Sequence, residues 1–151
     1  MRSVTQFAIR MLDRLTAALP KRESDTLPKH LIVGQRGEEA AYFWLRQHGY
    51  TIVARNWRSP HARGELDLIG WEEGELCFIE VKTRSSKGIV PAEMAVTRDK
   101  QYELIGMARL YMRRMPRETV SRFDVVSVYL CEDCDPEIQL IRNAFGWSFK
   151  Q

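Results

Sequence analysis

Gly64-Glu65-Leu66-Asp67-Leu68-Ile69-Gly70-Trp71-Glu72-Glu73-Gly74-Glu75-Leu76-Cys77-Phe78-Ile79-Glu80-Val81-Lys82-Thr83 is the stretch on which the fold turns. Two apolar runs flank Glu72-Glu73-Gly74-Glu75, a pattern that reads as two strands joined by a tight turn. Side chains alternate along a strand, so Glu65, Asp67 and Ile69 share a face of the first run, and Phe78, Glu80 and Lys82 share a face of the second. If Glu73-Gly74 is a two-residue hairpin loop, Trp71 faces Leu76, Asp67 faces Glu80 and Glu65 faces Lys82. A four-residue loop gives the same pairing. A three-residue loop with a bulge at Gly74 shifts it by one and sends Glu80 to the opposite side.

Opposed like charges destabilise a sheet by roughly 0.2 to 1 kcal/mol, and by more where water is excluded. Asp67 and Glu80 therefore need a compensating partner. A divalent cation is one: Mg2+ takes hard oxygen ligands, commonly one or two carboxylates, and completes its shell with water and substrate phosphate. Lys82 would stand roughly 6.6 Å further along the strand. A plainer reading has these charges on a solvated sheet face, paired with each other, Glu65 with Lys82 for example. Against it, Leu66, Leu68, Ile69, Phe78, Ile79 and Val81 lie on both faces, as in strands covered on both sides.

Five blocks in this order carry a family resemblance: Gly34-x-x-Gly37-Glu38, Arg55-Asn56, residues 64–70, residues 78–84 and Arg122-Phe123-Asp124-Val125-Val126. Over about residues 31–147 the chain resembles the YraN family of uncharacterised predicted endonucleases. That family belongs to the restriction-endonuclease-like superfamily, marked by an aspartate followed by Asp/Glu-x-Lys. The resemblance implies an α/β domain with a mixed sheet flanked by helices. It also implies a Mg2+- or Mn2+-dependent nuclease, in which Asp67 and Glu80 bind the metal with the backbone carbonyl of Val81. Lys82 then orients or activates the attacking water, and Glu38 reaches the metal through water. The fold also hosts inactive members, so the alternative is a nucleic-acid-binding or adaptor protein with little or no cleavage activity.

Glu38 can be weighed by helical spacing alone. Over residues 34–48, Glu38, Ala41, Tyr42 and Leu45 share a stripe, Glu39 leans away, and Gly49 is a plausible stop. The plainer account of Glu38 is a first-turn glutamate favoured by the helix dipole, worth roughly 0.3 to 1 kcal/mol. A second helix starts at the N-cap candidate Thr97 and ends before Pro116, with Gln101, Leu104, Ile105, Ala108, Tyr111 or Met112, and Met115 inward. Gln101 and Lys100 are second-rank site candidates, as is Glu65. Helix-end solvation is the plainer reading of Gln101.

Residues 50–56, 122–130 and 137–142 read as further strands. A crossover helix makes the Glu-x-Lys and Arg122 strands parallel. Residues 84–95, with Gly88 and Pro91, read as a loop near the site. Length fits one domain, residues 31–151, behind an extension, residues 1–30. The extension holds six Lys/Arg against three Asp/Glu and the rest seventeen against seventeen, so the net charge of +3 sits outside the predicted nuclease domain. Nucleic-acid affinity must then come from local clusters. Arg84, Arg98, Arg113 and Arg114 are the candidates, beside Lys100, Arg109 and Arg117; a solvated helix face is the alternative.

Val4, Phe7, Ala8, Met11, Leu12, Leu15 and Leu19 recur at helical spacing, with Arg10, Asp13 and Arg14 interrupting any signal or membrane-spanning run. A cytoplasmic protein is expected. Its extension could pack on its own domain or reach a membrane surface or protein partner, and residues 21–29 read as a linker. DNA is the foremost partner, with a homodimer a further candidate. The three cysteines suggest no disulfide framework, and Cys131-Glu132-Asp133-Cys134 lacks a second pair to complete a zinc site.

Overall fold

Glu73 and Gly74 both take positive φ, 49° and 83°, as the two central positions of a type I′ hairpin loop require. They join strands that pair Leu68 with Ile79, Ile69 with Phe78, Gly70 with Cys77 and Trp71 with Leu76. This is the register expected for a two-residue loop. In the computed structural model, which describes residues 28–84 and 96–148, these strands occupy the middle of one five-stranded sheet.

In chain order the elements are α1 (Lys29–Gln47), β1 (Thr51–Trp57), β2 (Leu66–Glu72), β3 (Glu75–Arg84), α2 (Arg98–Met112), β4 (Ser121–Tyr129) and β5 (Glu137–Phe145). The strands lie in sequence order, β3 and β4 parallel and every other neighbouring pair antiparallel. The fold is α/β with a mixed sheet, consistent with a restriction-endonuclease-like core. The parallel pair is the one that α2 connects. Thr97 caps that helix, its hydroxyl accepting from Lys100 N–H at 3.3 Å.

The two sheet faces carry separate cores, as the apolar residues on both sides of β2 and β3 foretold. Ala40, Ala41 and Leu45 of α1 pack on Leu68, Cys77, Ile79, Val81, Val126 and Val128. Leu104, Ile105, Met107 and Ala108 of α2 pack on Leu66, Ile69, Leu76, Phe78, Phe123 and Val125. Alternation along β3 thus points Leu76 and Phe78 to α2 and Cys77, Ile79 and Val81 to α1.

The turn-side end of the sheet is tied by an ion network. Arg122 Nε donates to Asp124 Oδ1 at 2.9 Å, Nη1 to Glu75 at 2.9 Å, and Nη2 to Glu72. Glu72 also accepts from Arg142 Nη2 at 2.6 Å. The fully buried Asp124 accepts further from the Tyr50 hydroxyl and the Asn143 N–H, each at 2.9 Å. The bond to Arg142, ahead of burial and Arg122, decides the balance at Glu72 and holds its carboxyl down at about 2. Every buried carboxylate here has partners, the condition under which buried ions are tolerated.

One expectation changes. α1 takes in Lys29 and His30 and has no acidic residue in its first turn, so the dipole account of Glu38, at the helix midpoint, is wrong. Cys131 and Cys134 stand together as a local CxxC pair, their Cα atoms 5.5 Å apart, which adds no larger disulfide framework. Cys77 is free and buried. The amphipathic pattern of residues 4–19, the linker before Pro28 and the loop after Arg84 fall outside the described residues.

α1 sits unusually close to β3. A Cβ added at Gly37 would lie within 2.7 Å of all three side-chain heavy atoms of Thr83, whereas nothing lies within 4 Å of one added at Gly34. Gly37→Ala should therefore cost about 1–3 kcal/mol through overpacking. Gly34→Ala in the same helix should gain about 0.5–1 kcal/mol. Denaturant unfolding of the two variants checks this, and equal effects would show that the close approach is not a constraint.

Candidate active site

The site is assembled from α1, β1, β2, β3 and the start of α2. Asp67 is second in β2, and the register continued one step beyond Leu68 and Ile79 sets it across from Glu80. Both are buried, at 8% and 4% exposure. The Val81 N–H donates to Asp67 Oδ2 at 2.8 Å. Burial first, and the charge of Glu80 second, push the Asp67 carboxyl up to about 8. The Val81 N–H and Lys100 oppose the rise, and Glu38 adds to it.

Glu80 is only half satisfied. Its Oε1 lies 3.0 Å from Lys82 Nζ and 3.9 Å from Lys100 Nζ, while its buried Oε2 has no hydrogen-bond partner. An unpaired buried carboxylate oxygen costs free energy that the fold must recover elsewhere. Lys82 and Lys100 are partly exposed, so the site opens to water on their side.

Lys100 is brought in by α2. Its Nζ also lies 2.8 Å from Glu103. Burial works against its charge, but the bond to Glu103 and the charges of Glu80 and Asp67 outweigh it and raise its pKa. The neighbouring Gln101 turns elsewhere and donates to the Val96 carbonyl at 3.0 Å, closing the helix start. Glu65 precedes β2 and takes two bonds from Arg58, at 2.9 and 2.7 Å, so it pairs there and not with Lys82. Glu103 is the residue that the sequence reading passed over; its place three after Lys100 was the available signal.

Glu38 stands at the site and is held from β1, where Asn56 Nδ2 donates to its Oε2 at 3.1 Å. Glu39 turns to Arg55, as its place on the helix predicted. Among the described residues, no group of three or more His, Cys, Asp or Glu stands gathered as a ready ligand shell. The oxygens on offer are those of the Asp67 and Glu80 pair, with Glu38 nearby.

The arginines proposed for nucleic acid are dispersed. Arg84 ends β3, its carbonyl accepting from Leu130 N–H at 2.9 Å. Arg98 opens α2 and Arg113 caps its far end, roughly 22 Å away at 1.5 Å per residue. Arg114 lays its guanidinium over the Trp57 ring, 5.3 Å from the centroid. No helix among the described residues is long and apolar enough to cross a membrane.

The Asp67 carboxyl sits above its usual value of 3.8 when the chain is folded. An acid raised in the folded state leaves the fold unpenalised below its unfolded pKa; the penalty grows as pH climbs and is complete above the folded value. Asp67→Asn keeps an oxygen for the Val81 N–H and removes the charge. It should stabilise the metal-free protein at pH 8 by on the order of a few kcal/mol, with most of that gain gone at pH 4. Thermal unfolding at both pH values tests this, and a gain independent of pH would refute the buried-charge account.

Residues 37–128 match the uncharacterised protein family UPF0102. A UPF0102 protein of Koribacter versatilis (strain Ellin345) is 52% identical over 145 residues, covering 96% of this chain and 96% of that one. One from Solibacter usitatus (strain Ellin6076) is 45% identical over 113 residues, 74% of this chain and 84% of that protein. A third, from Symbiobacterium thermophilum, is 44% identical over 114 residues, 75% and 95% of the two chains. The matched segment contains Glu38, Asn56, Asp67, Glu80, Lys82 and Lys100, and the chain belongs to the UPF0102 family, the YraN family that its five sequence blocks resemble.

Proposed function

We propose that this protein is a Mg2+- or Mn2+-dependent endonuclease that hydrolyses phosphodiester bonds in DNA, with branched or single-stranded forms the foremost substrates. The observation that carries the reading is the orphaned, buried Glu80 Oε2 across from an Asp67 whose carboxyl is pushed up to about 8. Two desolvated carboxylates with spare oxygen lone pairs suit a hard divalent cation.

Asp67 and Glu80 would hold the ion, with the Val81 carbonyl a third oxygen and Glu38 acting through water. Bound there, the ion would lower the pKa of a water and polarise a phosphoryl oxygen. Lys82, with its ammonium 3.0 Å from Glu80 and partly open to solvent, is placed to orient the attacking water and to offset charge developing on the phosphate. Lys100 adds a second ammonium at the same opening. Arg84, Arg98, Arg113 and Arg114 are proposed to meet the phosphate backbone away from the scissile bond, which positions the strand without reading its sequence.

The test incubates purified protein with linear, single-stranded, gapped and four-way-junction DNA, and with RNA, in Mg2+ or Mn2+. Cleavage is expected with the unmutated protein and should fall more than about a hundredfold in Asp67→Ala, since loss of a ligand exceeds the cost of losing its supporting partners. Cleavage that survives in Asp67→Ala marks a contaminant. Binding to DNA without cleavage of any substrate favours the nucleic-acid-binding or adaptor reading instead.

A further inference from the structure

Asn56 is an anomaly in its own strand. Its φ is 46°, in the left-handed region that costs a non-glycine residue roughly 1 kcal/mol or more and that asparagine tolerates better than most. Strands disfavour asparagine on propensity as well. The register on either side, Arg55 with Leu68 and Trp57 with Leu66, sets Asn56 opposite Asp67 across β1 and β2. On the other side of β2, the register continued one step beyond Leu68 and Ile79 sets Asp67 across from Glu80. Asn56, Asp67 and Glu80 thus form one row across three strands. From that row the Asn56 amide reaches out of the sheet to α1, donating to Glu38 Oε2 at 3.1 Å.

The neighbouring contacts show how closely α1 is fixed at this point. Arg55 Nη2 lies 2.5 Å from Glu39 Oε2, and Gly37 is seated against Thr83 of β3. Residues 37, 38 and 39 are therefore gripped in succession by β3, Asn56 and Arg55. Without the Asn56 amide, Glu38 would remain near Asp67 but could choose among several rotamers, since among the described residues Asn56 is the donor that holds its carboxylate.

We propose that Asn56 is a positioning residue of the active site, its amide fixing the Glu38 carboxylate so that Glu38 can support a divalent cation held by Asp67 and Glu80. This rests on the metal-dependent reading above. The amide presents N–H to Glu38 Oε2 and so leaves the second oxygen of the glutamate for a water. A purely structural role would need only a residue that tolerates positive φ, and glycine meets that need without an amide.

Asn56→Gly separates the two roles. In the metal-free protein, a thermodynamic cycle of Asn56→Gly and Glu38→Gln should show non-additive unfolding, because the two side chains share one bond. Mn2+ affinity, read by electron paramagnetic resonance of the free ion, should fall about tenfold in Asn56→Gly and in Glu38→Gln, the range typical for residues that orient metal ligands. The double variant should bind no more weakly than Glu38→Gln alone. An Asn56→Gly effect undiminished on the Glu38→Gln background, or unchanged Mn2+ affinity in Asn56→Gly, overturns the role given to Asn56. Failure of the unmutated protein to bind Mn2+ at all instead overturns the metal reading on which it rests.

Discussion

The two-residue turn at Glu73 and Gly74 is the constraint on which the rest depends. Side chains alternate with a period of two, so a slip of one residue between β2 and β3 would turn every residue of one strand to the other face. Asp67 would then lose Glu80 as its neighbour, and the two helices would meet the wrong halves of the core. Positive φ at both central positions matches the right-handed twist of the flanking strands and closes the loop without an extra residue. Arg122 secures the same end of the sheet by reaching residues on both sides of that turn, Glu72 and Glu75.

Two groups of buried acids in one sheet have opposite characters. Around Arg122, each carboxylate has a cation or a donor, and the tightly paired Glu72 is held in its charged form. At the other end, Asp67 is driven toward its neutral form and Glu80 keeps an unpartnered oxygen. Desolvation acts on both groups, so the difference lies in the supply of counter-charge. The first group ties strands together and is complete as it stands. The second leaves a buried carboxylate oxygen unpartnered, and this is the observation on which the proposed metal role rests.

How much of this was legible in the sequence followed from how local each determinant is. The hairpin, its register and the burial of both strand faces depend on neighbours along the chain, and Asp67 with Glu80 could be paired from residue numbers alone. Thr97 as a cap and Glu39 turning away were legible for the same reason. Contacts between distant segments were not: Arg58 competing for Glu65, Gln101 bending back to Val96, and Glu103 holding Lys100 each depend on where a loop or helix end comes to rest. The start of α1 was misplaced because Pro28, not the glycines, opens the helix; a proline just ahead of the first turn loses no hydrogen bond. The resemblance to a family supplied roles that spacing could not, and these remain proposals for experiment.

The choice of Glu38 over Glu39 shows how a helix and an edge strand divide one task. Adjacent helical residues diverge by about 100°, so α1 cannot present both glutamates to the sheet in the same way. β1 meets each with a different partner, a guanidinium for Glu39 and an amide for Glu38. An arginine fixes a carboxylate by charge and would also cancel the negative potential that a cation needs. An amide fixes it while leaving the charge intact. On the proposed metal role of Glu38 beside Asp67 and Glu80, the neutral donor is the one that keeps the charge available, which gives a physical reason for a left-handed asparagine inside a strand.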